Sequence, residues 1–98
     1  YLRLNSGVDE AQVRAIHREA YADEPFVHLL DSGLHPDPRH VRGTNRCHLG
    51  LFVQGDLLVV QSAIDNLCKG SSGQALQCFN LMAGFPETEG LMATAVFP

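Results

Sequence analysis

The clearest structural signal lies in residues 48–62, which have the sequence HLGLFVQGDLLVVQS. Leucine and valine alternate with other residues up to Gly55-Asp56, and a continuous apolar run, Leu57–Val60, follows that pair. A glycine-containing pair between two such segments is typical of the two-residue turn of a β-hairpin. An uninterrupted apolar run is typical of a strand that is covered on both faces. These residues therefore predict a hairpin whose second strand is buried.

A helix is predicted upstream of the hairpin, between Ser6 and Pro25. Ser6 is followed three residues later by Asp9, which is the spacing of a capping box at a helix start. Because proline disfavours helical backbone in the residue before it, we expect the helix to end by Asp23 or Glu24. Its apolar face comprises Val13, Ile16, Ala20 and Tyr21, and its other faces carry Arg14, Arg18 and Glu19.

A second helix is predicted downstream of the hairpin. Ser71 with Gln74 has the spacing of another capping box. Gly84 is placed to be a left-handed C-cap, and Pro86 follows it as a stop. The apolar stripe of this helix consists of Ala75, Leu76, Phe79, Met82 and Ala83.

The remaining segments complete an α+β pattern. Tyr1–Leu4 and Phe26–Leu30 are short runs that predict strands, and residues 31–44 are rich in glycine, proline, aspartate and histidine, which predicts a loop. The order is thus strand, helix, strand, loop, hairpin, helix. This order predicts an α+β fold with a mixed or antiparallel sheet and helices on one face.

The composition bounds the class of protein. The chain has 98 residues, of which 45% are hydrophobic and 18% charged, as expected for one globular domain or part of one. The net charge of -4 argues against a nucleic-acid partner, because phosphate backbones attract basic surfaces. No apolar run approaches the roughly 20 residues that span a bilayer. Three cysteines, an odd number, predict reduced thiols in the cytoplasm.

Several residues are of types that can bind a metal ion, bind an anion or act as a nucleophile. The set His28, His35, His40, Cys47 and His48 lacks the spacing of a zinc site, so no metal is expected. Arg39, Arg42 and Arg46 form either a local anion site or a solvated loop. Cys68 precedes a helix whose dipole lowers thiol pKa values, but small buried thiols are the more common role of cysteine.

The segment Lys69–Gly73 precedes a helix, where backbone N–H groups suit an anion. It matches neither common phosphate-binding motif, and its glycines alternatively permit a tight turn and close helix packing. The residues by themselves therefore predict a small acidic cytosolic α+β piece and no particular activity.

Residues 64–77, with the sequence IDNLCKGSSGQALQ, resemble a signature of the N-acetyl-γ-glutamyl-phosphate reductases, Asp-Asn-Leu-x-Lys-Gly-x-x-Gly-Gln-Ala. Residues 21–27, 41–47, 80–88 and 96–98 agree with the same family in the same order, so the resemblance covers nearly the whole chain. The Asp-Asn-Leu-x-Lys-Gly part alone is also similar to aspartate-semialdehyde dehydrogenases.

The resemblance implies the carboxy-terminal part of the glyceraldehyde-phosphate dehydrogenase and semialdehyde dehydrogenase fold. Residues 1–62 would then end the substrate and dimerisation sheet domain. Residues 63–98 would form a terminal helix and tail that pack on an amino-terminal cofactor domain, which is expected upstream of Tyr1. A chain that opens inside a strand agrees with a missing upstream part.

The family reduces an acyl phosphate to a semialdehyde with NADPH, a step of arginine biosynthesis. The resemblance places the glycine-rich nucleotide cradle, the nucleophilic cysteine and the catalytic histidine before Tyr1. Cys47, Cys68 and Cys78 do not match the nucleophile, so we expect no catalytic residue here and no activity of this chain alone. A homo-oligomer is also expected.

The resemblance also suggests roles for individual residues. Asn66 would contact the nicotinamide of NADP, or else only order the turn before the helix. Lys69 and Gly70 are further candidates for cofactor binding, and Arg46 and His48 for contact with the acyl-phosphate substrate. No role follows for Arg39, Arg42 or the other histidines. The alternatives are a non-catalytic binding or assembly module, and a fragment of an aminoadipyl-phosphate or aspartate-semialdehyde reductase.

Overall fold

The computed structural model describes residues 1–96; Phe97 and Pro98, which belong to the predicted family-like ending, lie outside the described residues. The elements are β1 (Leu2–Arg3), α1 (Glu10–Ala20), β2 (Val27–Leu29), a 3₁₀ turn (Pro38–His40), β3 (Cys47–Gln54), β4 (Leu57–Ile64), a π-helical turn (Cys68–Ser72) and α2 (Gly73–Ala83). This order confirms the predicted α+β class.

The four strands form one mixed sheet in the order β1-β4-β3-β2. The predicted hairpin is confirmed: β3 and β4 are antiparallel, with Cys47 opposite Ile64 at one end and Gln54 opposite Leu57 at the other. The prediction that the second strand is buried on both faces is wrong, because Val60 is 37% exposed. Gly55 in the connecting turn has φ +62°, a left-handed conformation that favours glycine. β1 extends the sheet antiparallel to β4, whereas β2 runs parallel to β3.

The start of α1 differs from the prediction. Asp9, not Ser6, is the N-cap: its side chain accepts the backbone N–H of Gln12 at 2.9 Å, and the Gln12 side chain accepts the N–H of Asp9 at 3.0 Å. The capping box is therefore real but lies three residues downstream, because Gln12 supplies the return bond. The helix ends at Ala20, earlier than expected.

The packing face of α1 is narrower than the sequence pattern indicates. Val13 packs with Leu51 and Leu58 to form the core on this side of the sheet. Ile16, predicted to be buried, is 62% exposed, whereas Arg14 is only 7% exposed. The guanidinium of Arg14 donates to the carbonyl of Leu30, which gives the buried charge a partner on the face of α1 that packs against the sheet.

The opposite face of the sheet is covered by the loop of residues 31–44. A Cβ on Gly50 would lie 2.8 Å from Pro36 Cδ, so this glycine allows the loop to contact the strand directly. The His35 ring stacks on Phe52 with centroids 4.2 Å apart, and Val41 is fully buried. This face of the sheet is therefore covered by a loop, whereas α1 packs on the other face.

The second helix enters through the π-helical turn. Ser72 is the N-cap, but its hydroxyl donates to the Leu67 carbonyl at 2.9 Å and does not cap the helix, so the predicted box of Ser71 with Gln74 is wrong. The turn makes the box unnecessary, because the Ser72 N–H already donates to the Leu67 carbonyl at 3.0 Å. The predicted C-cap is confirmed, since Gly84 is left-handed with φ +74°. Neither helix of residues 1–96 has the length and apolarity needed to cross a membrane.

Candidate functional site

The turn between β4 and α2 is held by the side chain of Asp65. Its carboxylate accepts the backbone N–H groups of Cys68 at 2.7 Å and of Leu67 and Gly43 at 2.9 Å each. These bonds, those from Gly43 and Cys68 foremost, stabilise the charged form and lower the pKa of Asp65. One carboxylate thus connects the turn to the loop that precedes β3.

Asn66 is the next residue, and the hydrogen bonds that close the turn do not involve its side chain. Its side chain is exposed and makes no hydrogen bond with any of residues 1–96. The bonds that close the turn come from Asp65, whose carbonyl also accepts the N–H of Gly70 at 2.9 Å. The amide of Asn66 is therefore held on a rigid backbone with a donor and an acceptor available to a ligand.

Lys69 and Gly70 play different parts in this turn. The Lys69 ammonium donates to Gln77 Oε1 at 2.6 Å and lies 5.4 Å from the centroid of the Phe26 ring, so it contacts the protein interior. A Cβ on Gly70 would come within 3.2 Å of the Asp65 carbonyl oxygen, which leaves little room for any side chain.

Gly73 is the tightest point of the site. A Cβ there would lie 2.4 Å from Asn45 Oδ1 and 2.8 Å from the Cys68 carbonyl group. Asn45 is buried and donates to Gln77 Oε1 at 2.9 Å, and Gln77 in turn donates to Glu87 at 2.6 Å. This contact and these bonds fix α2 to the sheet domain beside a cavity of about 390 Å³.

Arg46 and His48 lie in a second cluster at the start of β3. The His48 ring is 5.5 Å from the ring of His28 and 6.4 Å from that of His40. Burial lowers the pKa of His48, with smaller contributions from His28, His40 and Arg46; burial and Arg46 likewise lower the pKa of His28. The lowered pKa values of His28 and His48 favour their neutral imidazole forms beside the Arg46 guanidinium.

His28 was not predicted as a neighbour of His48. The two pair across the parallel strands β2 and β3, so their side chains leave the same face of the sheet. Such a pair can be predicted only when the register of the two strands is known, and the sequence does not give the register of a parallel pair.

The thiols of Cys47 and Cys68 are not activated. Burial raises the pKa of Cys47, and burial together with the Asp65 carboxylate raises the pKa of Cys68. The pKa of Cys68 is therefore shifted in the direction opposite to the one expected from a helix dipole. Within residues 1–96, no group of three or more histidine, cysteine or acidic side chains is placed to hold a metal ion.

Comparisons with known proteins show which proteins this chain resembles. The chain is 50% identical to an N-acetyl-gamma-glutamyl-phosphate reductase of Alkalilimnicola ehrlichii over 92% of its length. It is 55% identical to one of Paracoccus denitrificans over 88% and 50% identical to one of Streptomyces clavuligerus over 98%. The chain spans only 27%, 26% and 29% of these three relatives, respectively.

The profile of the family described as "Semialdehyde dehydrogenase, dimerisation domain" matches residues 1–66. This range contains all four strands of the sheet and Asp65 and Asn66 of the turn. The chain therefore belongs to the semialdehyde dehydrogenase dimerisation-domain family.

Proposed function

We propose that this chain is the carboxy-terminal portion of an NADP-dependent N-acetyl-γ-glutamyl-phosphate reductase, a cytoplasmic enzyme of arginine biosynthesis. Relatives that carry this reductase name match nearly the whole chain at about half of its positions. The observation that carries the proposal is the unpartnered amide of Asn66, held by the Asp65 turn inside the segment that matches the family signature. We expect the parent enzyme to convert an acyl phosphate to a semialdehyde.

The chain alone is proposed to be inactive. Both thiols at the site have raised pKa values, which is the opposite of what a cysteine nucleophile needs. The nucleophilic cysteine, the proton-transferring histidine and the nucleotide cradle are therefore assigned to the amino-terminal domain of the parent.

We propose that residues 1–62 complete the substrate and dimerisation sheet, and that residues 63–98 pack on the cofactor domain. The outer face of α2 supports this division, because Leu76, Phe79 and Met82 are exposed, Met82 to 88%. An apolar face of this kind is typical of a surface that another domain covers. A homo-oligomer is also proposed, and the match to a dimerisation domain supports it.

Asn66 is proposed to hold the nicotinamide carboxamide of NADPH, which supplies the hydride when it is bound. A primary amide fits a second primary amide, since each offers both an N–H donor and a carbonyl acceptor. This contact fixes which face of the ring meets the substrate. Lys69 and Gly70 act through the turn: Lys69 anchors it to α2 through Gln77, and Gly70 keeps it compact. Arg46 and His48 remain proposed substrate contacts.

Replacing Asn66 with alanine in the full-length reductase tests the proposal. Loss of one or two hydrogen bonds to the carboxamide should raise the Kd and KM for NADPH by roughly 3- to 30-fold. NADPH binding is followed by fluorescence titration, and turnover by NADPH consumption. Asn5→Ala, at another exposed asparagine, is the matched control. An Asn66→Ala enzyme with the wild-type Kd, KM and kcat would remove this role.

A further inference from the structure

We propose that Arg42 binds the phosphoryl group of the acyl-phosphate substrate, in a groove that it shares with Asn66. The groove has a volume of about 430 Å³, and its walls are formed by Pro38, Arg39, Arg42, Ile64, Asp65 and Asn66. This inference rests on the proposed reductase function and adds a residue that neither the motif nor the named relatives assign.

The two sides of the groove, which carry Arg42 and Asn66, are connected by hydrogen bonds to the Asp65 side chain. The Asp65 carboxylate accepts the N–H of Gly43, directly after Arg42, and the N–H groups of Leu67 and Cys68, directly after Asn66. The Arg42 carbonyl also accepts the N–H of Val96 at 3.1 Å. Arg42 and Asn66, 24 positions apart in the chain, therefore face one space from a fixed backbone.

Arg42 is the cation that this groove offers to a ligand. The other guanidinium, that of Arg39, is bound to Asp37, with Nη2 and Nε at 2.6 and 2.9 Å from Oδ2. The Asp65 carboxylate is already surrounded by three N–H donors. Arg42 has neither a hydrogen bond nor an ion pair from its guanidinium to any of residues 1–96. A free planar guanidinium in a groove suits a phosphate, which it binds through two parallel hydrogen bonds.

The position beside Asn66 favours the substrate's phosphate over other anions. If Asn66 holds the nicotinamide, the carbon that accepts the hydride must lie against that ring, and the phosphate is bonded to that same carbon. A cysteine thiolate of the amino-terminal domain forms the S–C bond, the C–O bond to phosphate breaks, and both electrons of that bond leave with the phosphate. A guanidinium in this groove stabilises the charge that develops on the departing oxygen.

The reverse reaction gives a direct test, because inorganic phosphate is then a substrate. Full-length Arg42→Gln is compared with Arg42→Lys and with Arg18→Gln, which removes an exposed charge on α1. Loss of a charge-assisted bidentate contact should raise the KM for phosphate by roughly 10- to 100-fold. The lysine variant should lie between wild type and glutamine, and Arg18→Gln should match wild type. The KM for the semialdehyde and the Kd for NADPH should not change.

The outcomes separate the possible sources of phosphate. An unchanged KM for phosphate in an active Arg42→Gln enzyme overturns the inference while the reductase function stands. Weaker binding of NADPH, with binding of NADH unaffected, would also overturn it, because Arg42 would then serve the nucleotide's extra phosphate. Protection against thermal unfolding by inorganic phosphate, lost in Arg42→Gln, supports it without relying on turnover. If the wild-type enzyme does not consume inorganic phosphate in the reverse reaction, the proposed function itself is wrong.

Discussion

Replacing Gly73 with alanine will destabilise the protein strongly, although alanine is the better helix former. Gly73 has φ -67° and ψ -44°, which alanine adopts without strain, so the backbone conformation costs nothing. The added Cβ, however, would lie 2.4 Å from Asn45 Oδ1 and 2.8 Å from the Cys68 carbonyl group. Asn45 is buried and bonded to Gln77, so it has little room to move. We expect the free energy of unfolding to fall by roughly 1–3 kcal/mol, as in overpacked cores.

Urea unfolding of the full-length protein measures this loss of stability. Gln74→Ala is the matched control, because Gln74 is exposed and follows Gly73 in the same helix. We expect the control to change stability by less than about 0.5 kcal/mol, as exposed positions usually do. If Gly73→Ala is as stable as the control, the close contact between the start of α2 and Asn45 does not exist in solution.

Replacing Asp65 with asparagine will lower kcat/KM of the proposed full-length reductase by roughly 100-fold, because small displacements of positioning groups cost about that much. An asparagine side chain has one acceptor oxygen and would direct its N–H₂ group at backbone donors that the carboxylate now satisfies. Both Asn66 and Arg42 depend on these bonds for their place in the groove. The KM for NADPH and the KM for phosphate should therefore rise together, whereas each single variant raises only one of them.

The same substitution removes an acid-sensitive contribution to stability. Hydrogen bonds from Gly43 and Cys68 lower the pKa of Asp65 in the folded protein. Its stabilising effect is therefore complete above the unfolded pKa of about 3.9 and is lost as the pH falls through the lower folded value. Thermal unfolding between about pH 5 and pH 3 should depend less on pH in Asp65→Asn than in wild type. Asp56→Asn, at the exposed hairpin turn, is the control that should keep wild-type activity.

Local signals in the sequence predicted the parts of the fold that local chemistry determines. The hairpin follows from alternation and Gly55, and the end of α2 follows from Gly84, whose left-handed backbone needs no tertiary contact. The start of each helix was misplaced, because several neighbouring polar residues compete to cap a helix. At α1, Asp9 is the N-cap because the Gln12 side chain accepts its backbone N–H. At α2, a π-helical turn takes the place of a capping box.

Long-range contacts explain what the sequence pattern missed. Arg14 is buried because a carbonyl 16 residues away accepts its guanidinium, and no periodicity shows that partner. The signature segment correctly indicated the turn between β4 and α2. It did not show that the Asp65 side chain closes this turn and leaves the Asn66 side chain without a hydrogen bond to any of residues 1–96. The role of Asp65 depends on the N–H of Gly43, which lies in another loop. The grouping of His28 with His48 likewise depends on the register of two parallel strands.

The most direct test of the account is the phosphate-dependent reduction of NADP by the full-length protein. N-acetylglutamate γ-semialdehyde, inorganic phosphate and NADP are mixed with the protein, and NADPH is measured by its absorbance. We predict NADPH formation that requires both the semialdehyde and phosphate, and none when residues 1–98 replace the full-length protein. NADPH formation by residues 1–98 alone, or a full-length protein that forms none, would contradict the account.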